Sequence, residues 1–259
     1  MISKRRTFAV YRSPLTLFLL SCSGTLPPLR GRIDVGRDAY AVFVAGGGMG
    51  GDLYAVSADG GQPVPITYTN VAELSPALSA DGTELVFLRG LSLRDSTPAT
   101  IWIMNLLNGA ERELPLPKGV AGPRRVGWGR GHVVIVETGN GLVSIHAPPS
   151  APDPRPISSA ERAVAESSLS VLLGDPVFAR VVPCEDRRDL CVVADTGSPG
   201  VLAVGARDPV RWGTDSVAFF VDDQIEIRPL ARGRPRRLEL SGAPVRPRQM
   251  TFFPGTRDR

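Results

Sequence analysis

The chain is poor in the residues that most often carry chemistry. Of its 259 residues only two are His, three are Cys, and two, Lys4 and Lys118, are Lys. Two His cannot furnish a three-His metal site, and no His-x-x-Glu-His pair is present. No Gly-x-Ser-x-Gly turn offers a nucleophile. His132 and His146 each fall in or beside an expected strand and read as structural. No apolar run approaches the roughly 20 residues that a membrane-spanning helix needs. No pair of carboxylates stands out as acid and base. The motif Gly46 to Gly51 formally contains Gly-x-Gly-x-x-Gly, but "DLYAVS" follows it. That is an alternating strand, whereas a phosphate loop needs a helix whose amide end faces the anion. It reads as a hairpin connection. Asp59-Gly60 and Asp81-Gly82 lack the alternating Asp ladder of a calcium loop. No catalytic residue, cofactor or metal is therefore expected.

Glycine and proline are plentiful, 28 and 24 respectively, and hydrophobic residues make up 42%. A core can form, but long helices cannot persist where both residues recur, since each breaks helix interiors. Short strands joined by turns fit this composition. The net charge is +4, and nearly all of the base is Arg. Nine Arg lie between Arg228 and Arg259, against Glu239 and Asp258. The cluster reads most simply as a solvated edge. An acidic partner, an anionic lipid surface or nucleic acid are the alternatives. No nucleic-acid partner is expected, and the chain is expected to be a monomer.

The amino terminus reads as an address. Lys4, Arg5, Arg6 and Arg12 precede a short apolar stretch, Leu15 to Leu20, and then Ser21-Cys22. A basic segment, an apolar segment and a small residue at a cut site make a secretory signal. "LLSC" also resembles a bacterial lipobox, in which Cys22 would carry lipid as the new first residue. The expected division is a signal peptide over 1–21, a tether over 22–36 and a folded domain over 37–259. By resemblance to sorted lipoproteins, Ser23 in place of Asp after the cysteine points to the outer membrane. The other cysteines, Cys184 and Cys191, lie in "VVPCEDRRDLCVV", a polar loop between apolar runs and hence a hairpin. A disulfide across its neck suits an oxidising compartment. Free thiols or a metal pair are the alternatives.

The domain repeats. "LVFL" at 85–88 precedes "TIWIMNLLNGAERELPL"; "VVIV" at 133–136 precedes "GLVSIHAPPSAPDPRPI"; "VAFFV" at 217–221 precedes "QIEIRPLARGRPRRLEL". Leu53, Ile101 and Leu142 are spaced by 48 and 41 residues, and Trp128 and Trp212 lie 84 apart in matching contexts. A period of 40–50 residues with several strands per unit means a β-propeller. Asp81-Gly82 is then a hairpin turn. Trp102, Trp128 and Trp212 read as blade anchors, a binding face being the alternative. Asp222-Asp223 is a turn before "QIEI". Units fall at 71–117, 120–158, 165–205 and 208–240. "AYAVFVA" opens a further blade that lacks a strand in front, and "RQMTFF" near the carboxy terminus supplies one. The expected fold is all-β: a propeller of about five four-stranded blades, six being the alternative count, with the ring closed by the C-terminal strand.

"LSPALSADGTELVF" followed by "IWIMNLLNG" resembles the WD-like repeat of the TolB-type propellers. Those blades read Ser-Pro-Asp-Gly, an apolar strand, and an Ile-Tyr/Trp strand ending in Asp/Asn and Gly. The likeness is clear over 52–116 and weaker over 124–158 and 208–240. The separate amino-terminal α/β domain of TolB itself is not expected in this chain, so no Tol-system role is carried over. With the lipobox, the resemblance implies an exported, lipid-anchored propeller on the periplasmic side of the envelope. It would bind an envelope protein partner as a non-catalytic scaffold, touching the membrane through Cys22. The alternatives are a glycan or small-ligand propeller, or a hydrolase or lyase using the central funnel.

Overall fold

The computed structural model describes residues 28–46, 51–90, 99–120, 122–129, 131–148, 181–183, 190–192, 200–229, 233–242 and 246–256. All of its regular structure is strand. Along the chain these are β1 (Tyr40–Ala45), β2 (Asp52–Ser57), β3 (Val64–Pro65), β4 (Ala72–Leu78), β5 (Glu84–Gly90), β6 (Thr100–Asn105) and β7 (Glu111–Leu114). There follow β8 (Pro123–Trp128), β9 (Val133–Thr138), β10 (Gly141–His146), β11 (Val181–Pro183), β12 (Leu190–Val192) and β13 (Gly200–Ala203). The last are β14 (Arg207–Trp212), β15 (Ser216–Val221), β16 (Gln224–Pro229), β17 (Arg236–Leu238) and β18 (Arg248–Phe253).

They form five antiparallel sheets in the orders β18-β1-β2-β3, β4-β5-β6-β7, β8-β9-β10, β11-β12-β13 and β14-β15-β16-β17. The first, second, third and last sheets sit side by side as propeller blades, with inner strands β14, β18, β4 and β8 as successive neighbours. Among the described residues the propeller therefore has four blades, and not the five or six expected; the remaining short sheet falls at the irregular fourth repeat. Ala203 at its end packs with Val217 and Phe219 of the last blade. The third and fourth sheets have three strands each among the described residues. The outer strand expected for the third blade falls within 149–158, outside them.

Strand composition follows from having a neighbour on both faces. In β1 every residue is buried. Tyr40, Val42 and Val44 enter the core shared with the second blade. Ala41, Phe43 and Ala45 enter the core shared with the last blade. In β5, Leu85 and Phe87 face the first blade, and Val86 and Leu88 face the third. With side chains alternating across the sheet, a strand between two blades must be apolar throughout. This is why the repeats read as continuous runs such as "LVFL" and "VAFF".

The C-terminal strand β18 pairs with β1 from Tyr40↔Phe253 to Val44↔Arg248, so both ends of the folded chain share one blade. The pairing covers the edge of β1, and a propeller of such blades leaves only short, protected edges. The Tyr40 and Phe253 rings meet edge-on at 5.7 Å. The Asp81-Gly82 turn lies against Phe253, and Gly82 has φ 68°. A Cβ there would fall 2.6 Å from the Phe253 ring, so the turn admits only Gly on both counts.

Residues 28–36, within the expected tether 22–36, are docked on the domain. Leu29 is fully buried and Ile33 nearly so, both in the core between the first two blades. No helix among the described residues is long and apolar enough to cross a membrane.

Candidate functional site

The inner strands carry a recurring irregularity. Each of β4, β8, β14 and β18 shifts register against its neighbour, between Leu74 and Ala77, Pro123 and Arg125, Arg207 and Val210, and Met250 and Arg248. Three of these bulges hold a non-glycine residue at positive φ: Ser75 at 51°, Asp208 at 51° and Gln249 at 50°. Pro follows the bulge residue in two blades, as Pro76 and Pro209. A bulge is one of the few places in a sheet where a missing N–H costs nothing. The Ser-Pro of the repeat is thus a bulge signal.

The bulges bring polar groups into a belt around the axis. The Ser75 N–H donates to Gln249 Oε1 of the first blade at 2.8 Å, and Ser75 Oγ accepts from the Val126 N–H of the third blade at 3.1 Å. Further along, the Leu78 N–H donates to Thr251 Oγ1 at 3.3 Å, and Trp128 Nε1 donates to Ala77 O at 3.1 Å. These contacts advance together along neighbouring strands, so the inner strands run parallel and all begin at one end of the propeller. Beside that belt, Arg248 keeps Nε and Nη2 buried without a hydrogen-bond partner. Burial lowers its pKa, and the nearby Asp208 opposes that.

A second polar group lies in the seam between the first two blades. Glu73 on β4 is fully buried. It accepts from Thr67 Oγ1, from Thr69 Oγ1 at 3.3 Å and from Arg89 Nη2 at 2.9 Å. Arg89 also bridges Glu111 at 2.9 Å and lies 4.5 Å over the Trp102 ring. Burial pushes the Glu73 carboxyl above its usual range, against the pull of Thr67 and Arg89. The sequence carries a faint mark of this pair, since "AELSPAL" and "ELVFLRG" each place one charge near the same strand end. Only the register Glu73↔Arg89 joins them.

At the opposite end a third group spans the second and third blades. Glu84 is nearly buried, its pKa raised by that burial. His132 Nδ1 stands 3.8 Å away, and Arg112 Nη2 donates to Ala147 O at 3.1 Å. His132 occupies a turn at φ 58°, and His146 ends β10 opposite Val133. The two are placed separately and neither faces a nucleophile in the described structure. Among the described residues no three His, Cys, Asp or Glu side chains converge as metal ligands.

The other candidates fall as follows. Trp128 and Trp212 end their inner strands and are nearly buried, Trp212 stacking on Phe252 at 3.7 Å. Trp102 is half-buried beneath Arg89. Asp222-Asp223, both at positive φ, form the two-residue turn between β15 and β16. Asp223 also accepts from Arg207 Nη2 at 2.5 Å. β1 and β2 pair antiparallel from Tyr40↔Ser57 to Ala45↔Asp52, and residues 47–50 of the Gly46 to Gly51 motif lie outside the described residues. The hairpin expected around the cysteines is formed by β11 and β12, with Cys191 opposite Val182. Cys184 and Cys22 lie outside the described residues.

Large apolar side chains are exposed at two blade-to-blade connections, Tyr68 at 81% and Val204 at 70%. Tyr68 precedes β4 and Val204 precedes β14. Both therefore sit at the end where the inner strands begin, the end that also carries Arg124 and Arg125 of β8 and Arg207 of β14. Sequence reasoning passed over both, because a single Tyr or Val in a loop carries no pattern.

The class these features define is an all-β propeller closed through a blade shared by both ends of the folded chain. No family model matches the sequence, and no curated protein matches it. Among solved structures the chain is similar to TolB from Acinetobacter baumannii, at 11% identity over 83% of this chain with a TM-score of 0.40. It spans 66% of that protein, just under two thirds. A TolB from Agrobacterium tumefaciens is similar at 13% identity over 78% of this chain and 61% of that one, with a TM-score of 0.34. An isopeptidase is similar at 12% identity over 82% of this chain and 47% of its own, with a TM-score of 0.36. Likenesses at this level carry no argument for an activity, a substrate or a partner, and the fold rests on its own strand pairing.

Proposed function

We propose that the chain is an exported propeller, held at the cell envelope by lipid on Cys22, that binds a protein partner as a non-catalytic scaffold. The observation that carries this reading is that Tyr68 and Val204 are both exposed at the rim where the inner strands begin, the rim that also carries Arg124, Arg125 and Arg207. Aromatic residues and Arg are enriched at protein interfaces, and exposed apolar side chains with a polar surround suit a partner surface. The polar clusters in the interior support the same reading. The belt around Ser75 bonds blade to blade, and Glu73 bonds Arg89 within its own blade and Thr67 and Thr69 of the connection before it, which is a structural use of those groups. The amino-terminal basic and apolar segments with "LLSC" support export and the anchor.

The test is a crosslinking pull-down of tagged full chain from its native envelope, beside Cys22→Ala and a Tyr68→Ala/Val204→Ser variant. The expected result is one reproducible protein partner, reduced by loss of the anchor and lost with the rim variant. No protein partner from the unaltered chain, or capture unaffected by the rim variant, would defeat the scaffold reading.

A further inference from the structure

Residues 28–38 do not hang from the propeller but cross one of its ends. Leu29 is fully buried, and the Arg32 and Ile33 N–H groups both return to Leu29 O at 3.1 and 3.2 Å. The Thr256 N–H donates to Arg37 O at 2.9 Å, and Gly36 lies against the Thr83 methyl. Thr83, Leu106 and Thr256 belong to turns that follow an inner strand or join the two outer strands of a blade. This end is thus opposite the rim that bears Tyr68 and Val204. The crossing segment and the turn at Leu106-Leu107 enclose an open cleft of about 550 Å³, lined by Leu29, Ile33, Val35, Leu106 and Leu107, with Arg30 and Arg32 alongside. Arg30 and Arg32 are exposed, and Leu107 is 53% exposed.

We infer that this end, with Arg30, Arg32 and Leu107 foremost, lies against the lipid bilayer, so that the Tyr68 and Val204 rim points away from the membrane. The inference rests on the anchored reading above. Six residues lead from Cys22 to Pro28, where the docked segment starts, and a chain of that length reaches about 20 Å at full extension. A six-residue inner strand alone rises about 20 Å, before its turns are added. An anchor at Cys22 cannot pass around the molecule to the other rim. It holds the crossed end within reach of headgroups, where the two guanidinium groups meet phosphates and Leu107 meets the interface. Asp34 and Asp38 on the same segment temper the charge. The contact is accordingly one of proximity with a few side chains, and not a polybasic patch.

The test couples the full chain through Cys22 to a maleimide-bearing lipid in vesicles of phosphatidylethanolamine and phosphatidylglycerol, with peptide mapping to verify the position. Amide hydrogen exchange is then compared with uncoupled protein in the presence of the same vesicles. Exchange should slow several-fold in 29–38 and 105–110, and stay unchanged in 66–71 and 204–206. Equal slowing at both ends, or none at the crossed end, overturns the orientation. Inserting a Gly/Ser stretch of about 20 residues after Cys22 should abolish the slowing, since the reach then exceeds the molecule. Protection that survives the insertion overturns the role of the short link. Lipidation in cells is read separately from the mass of the Cys22 peptide. Its absence overturns the anchor, while the chemically coupled protein still reports which end faces the bilayer.

Discussion

Replacing Arg89 by Met removes the cation that pairs with the buried carboxylate of Glu73. The methionine keeps part of the aliphatic stem but loses the guanidinium that lies over the Phe87 and Trp102 rings. The Thr67 and Thr69 hydroxyls remain, but the charge on Glu73 is left without its counterion. Breaking a buried pair from one side typically costs about 3–5 kcal/mol. In a domain of this size each kcal/mol lowers Tm by roughly 2–4 °C. Taking the lower figure, Arg89→Met should melt about 6–12 °C below the unaltered chain at pH 8. The sign of the pH dependence is fixed by burial. The Glu73 carboxyl titrates above its unfolded value, so the folded state is favoured when it is protonated, and that advantage is lost as pH rises through the raised value. Without Arg89 the carboxyl rises further. The gap between variant and parent should therefore narrow as pH falls towards 5. Glu73→Gln/Arg89→Met, which has no buried charge at this place, should recover most of the loss at pH 8. Glu84 is also raised by burial and Asp81 is lowered by Ser79 and Thr83, but both are common to all variants and cancel in the difference. Thermal melts followed by circular dichroism at several pH values provide the reading. A double variant no better than Arg89→Met, or a gap that widens in acid, would refute the argument.

Gly82→Ala should destabilise by about 1–3 kcal/mol, from the added clash with the Phe253 ring and the positive φ together, read as a lowered urea midpoint. Ser75→Ala leaves the Val126 N–H without its acceptor and should cost about 1–2 kcal/mol in the same assay. An unchanged midpoint would remove the belt as a source of cohesion between blades. Trp128→Phe keeps an aromatic ring but loses the indole N–H bond to Ala77 O and part of the buried ring, so a loss of about 1–3 kcal/mol is expected from thermal melts. Stopping the chain after Arg246 deletes β18, exposes β1 as an edge, and should replace cooperative unfolding with a broad transition and rapid proteolysis.

Much of the architecture was legible because the repeat is written in apolar strands of fixed spacing. "LVFL", "VVIV" and "VAFF" must be buried on both faces, and in a chain too rich in Gly and Pro for covering helices, stacked blades offer that. The shared blade was legible for the complementary reason, since "AYAVFVA" lacked a preceding strand and "RQMTFF" lacked a following one. The bulges were not foreseen. Positive φ at Ser75, Asp208 and Gln249 leaves no common residue type behind, and Pro marks only two of the three. Glu73 and Arg89 were overlooked because they stand sixteen positions apart and strand register alone brings them together. The docking of Leu29 and Ile33 escaped notice because two apolar residues in a Gly-, Pro- and Arg-rich segment show no period. The rim residues Tyr68 and Val204 gain meaning only once the topology puts their loops at one end.

The closing of the ring by β18 also sets an order of events. Thr256 Oγ1 donates to Gly36 O, 220 residues earlier in the chain, and Tyr40 waits for Phe253 on its open side. Neither contact can form until the whole domain is available, so the first blade is the last to be completed, and contacts of such sequence separation make folding slow. Until then β1 is a bare apolar edge, open to wrong partners. A chain threaded through a membrane before it folds would gain from this delay, because a propeller missing its last strand stays loose enough to be drawn through.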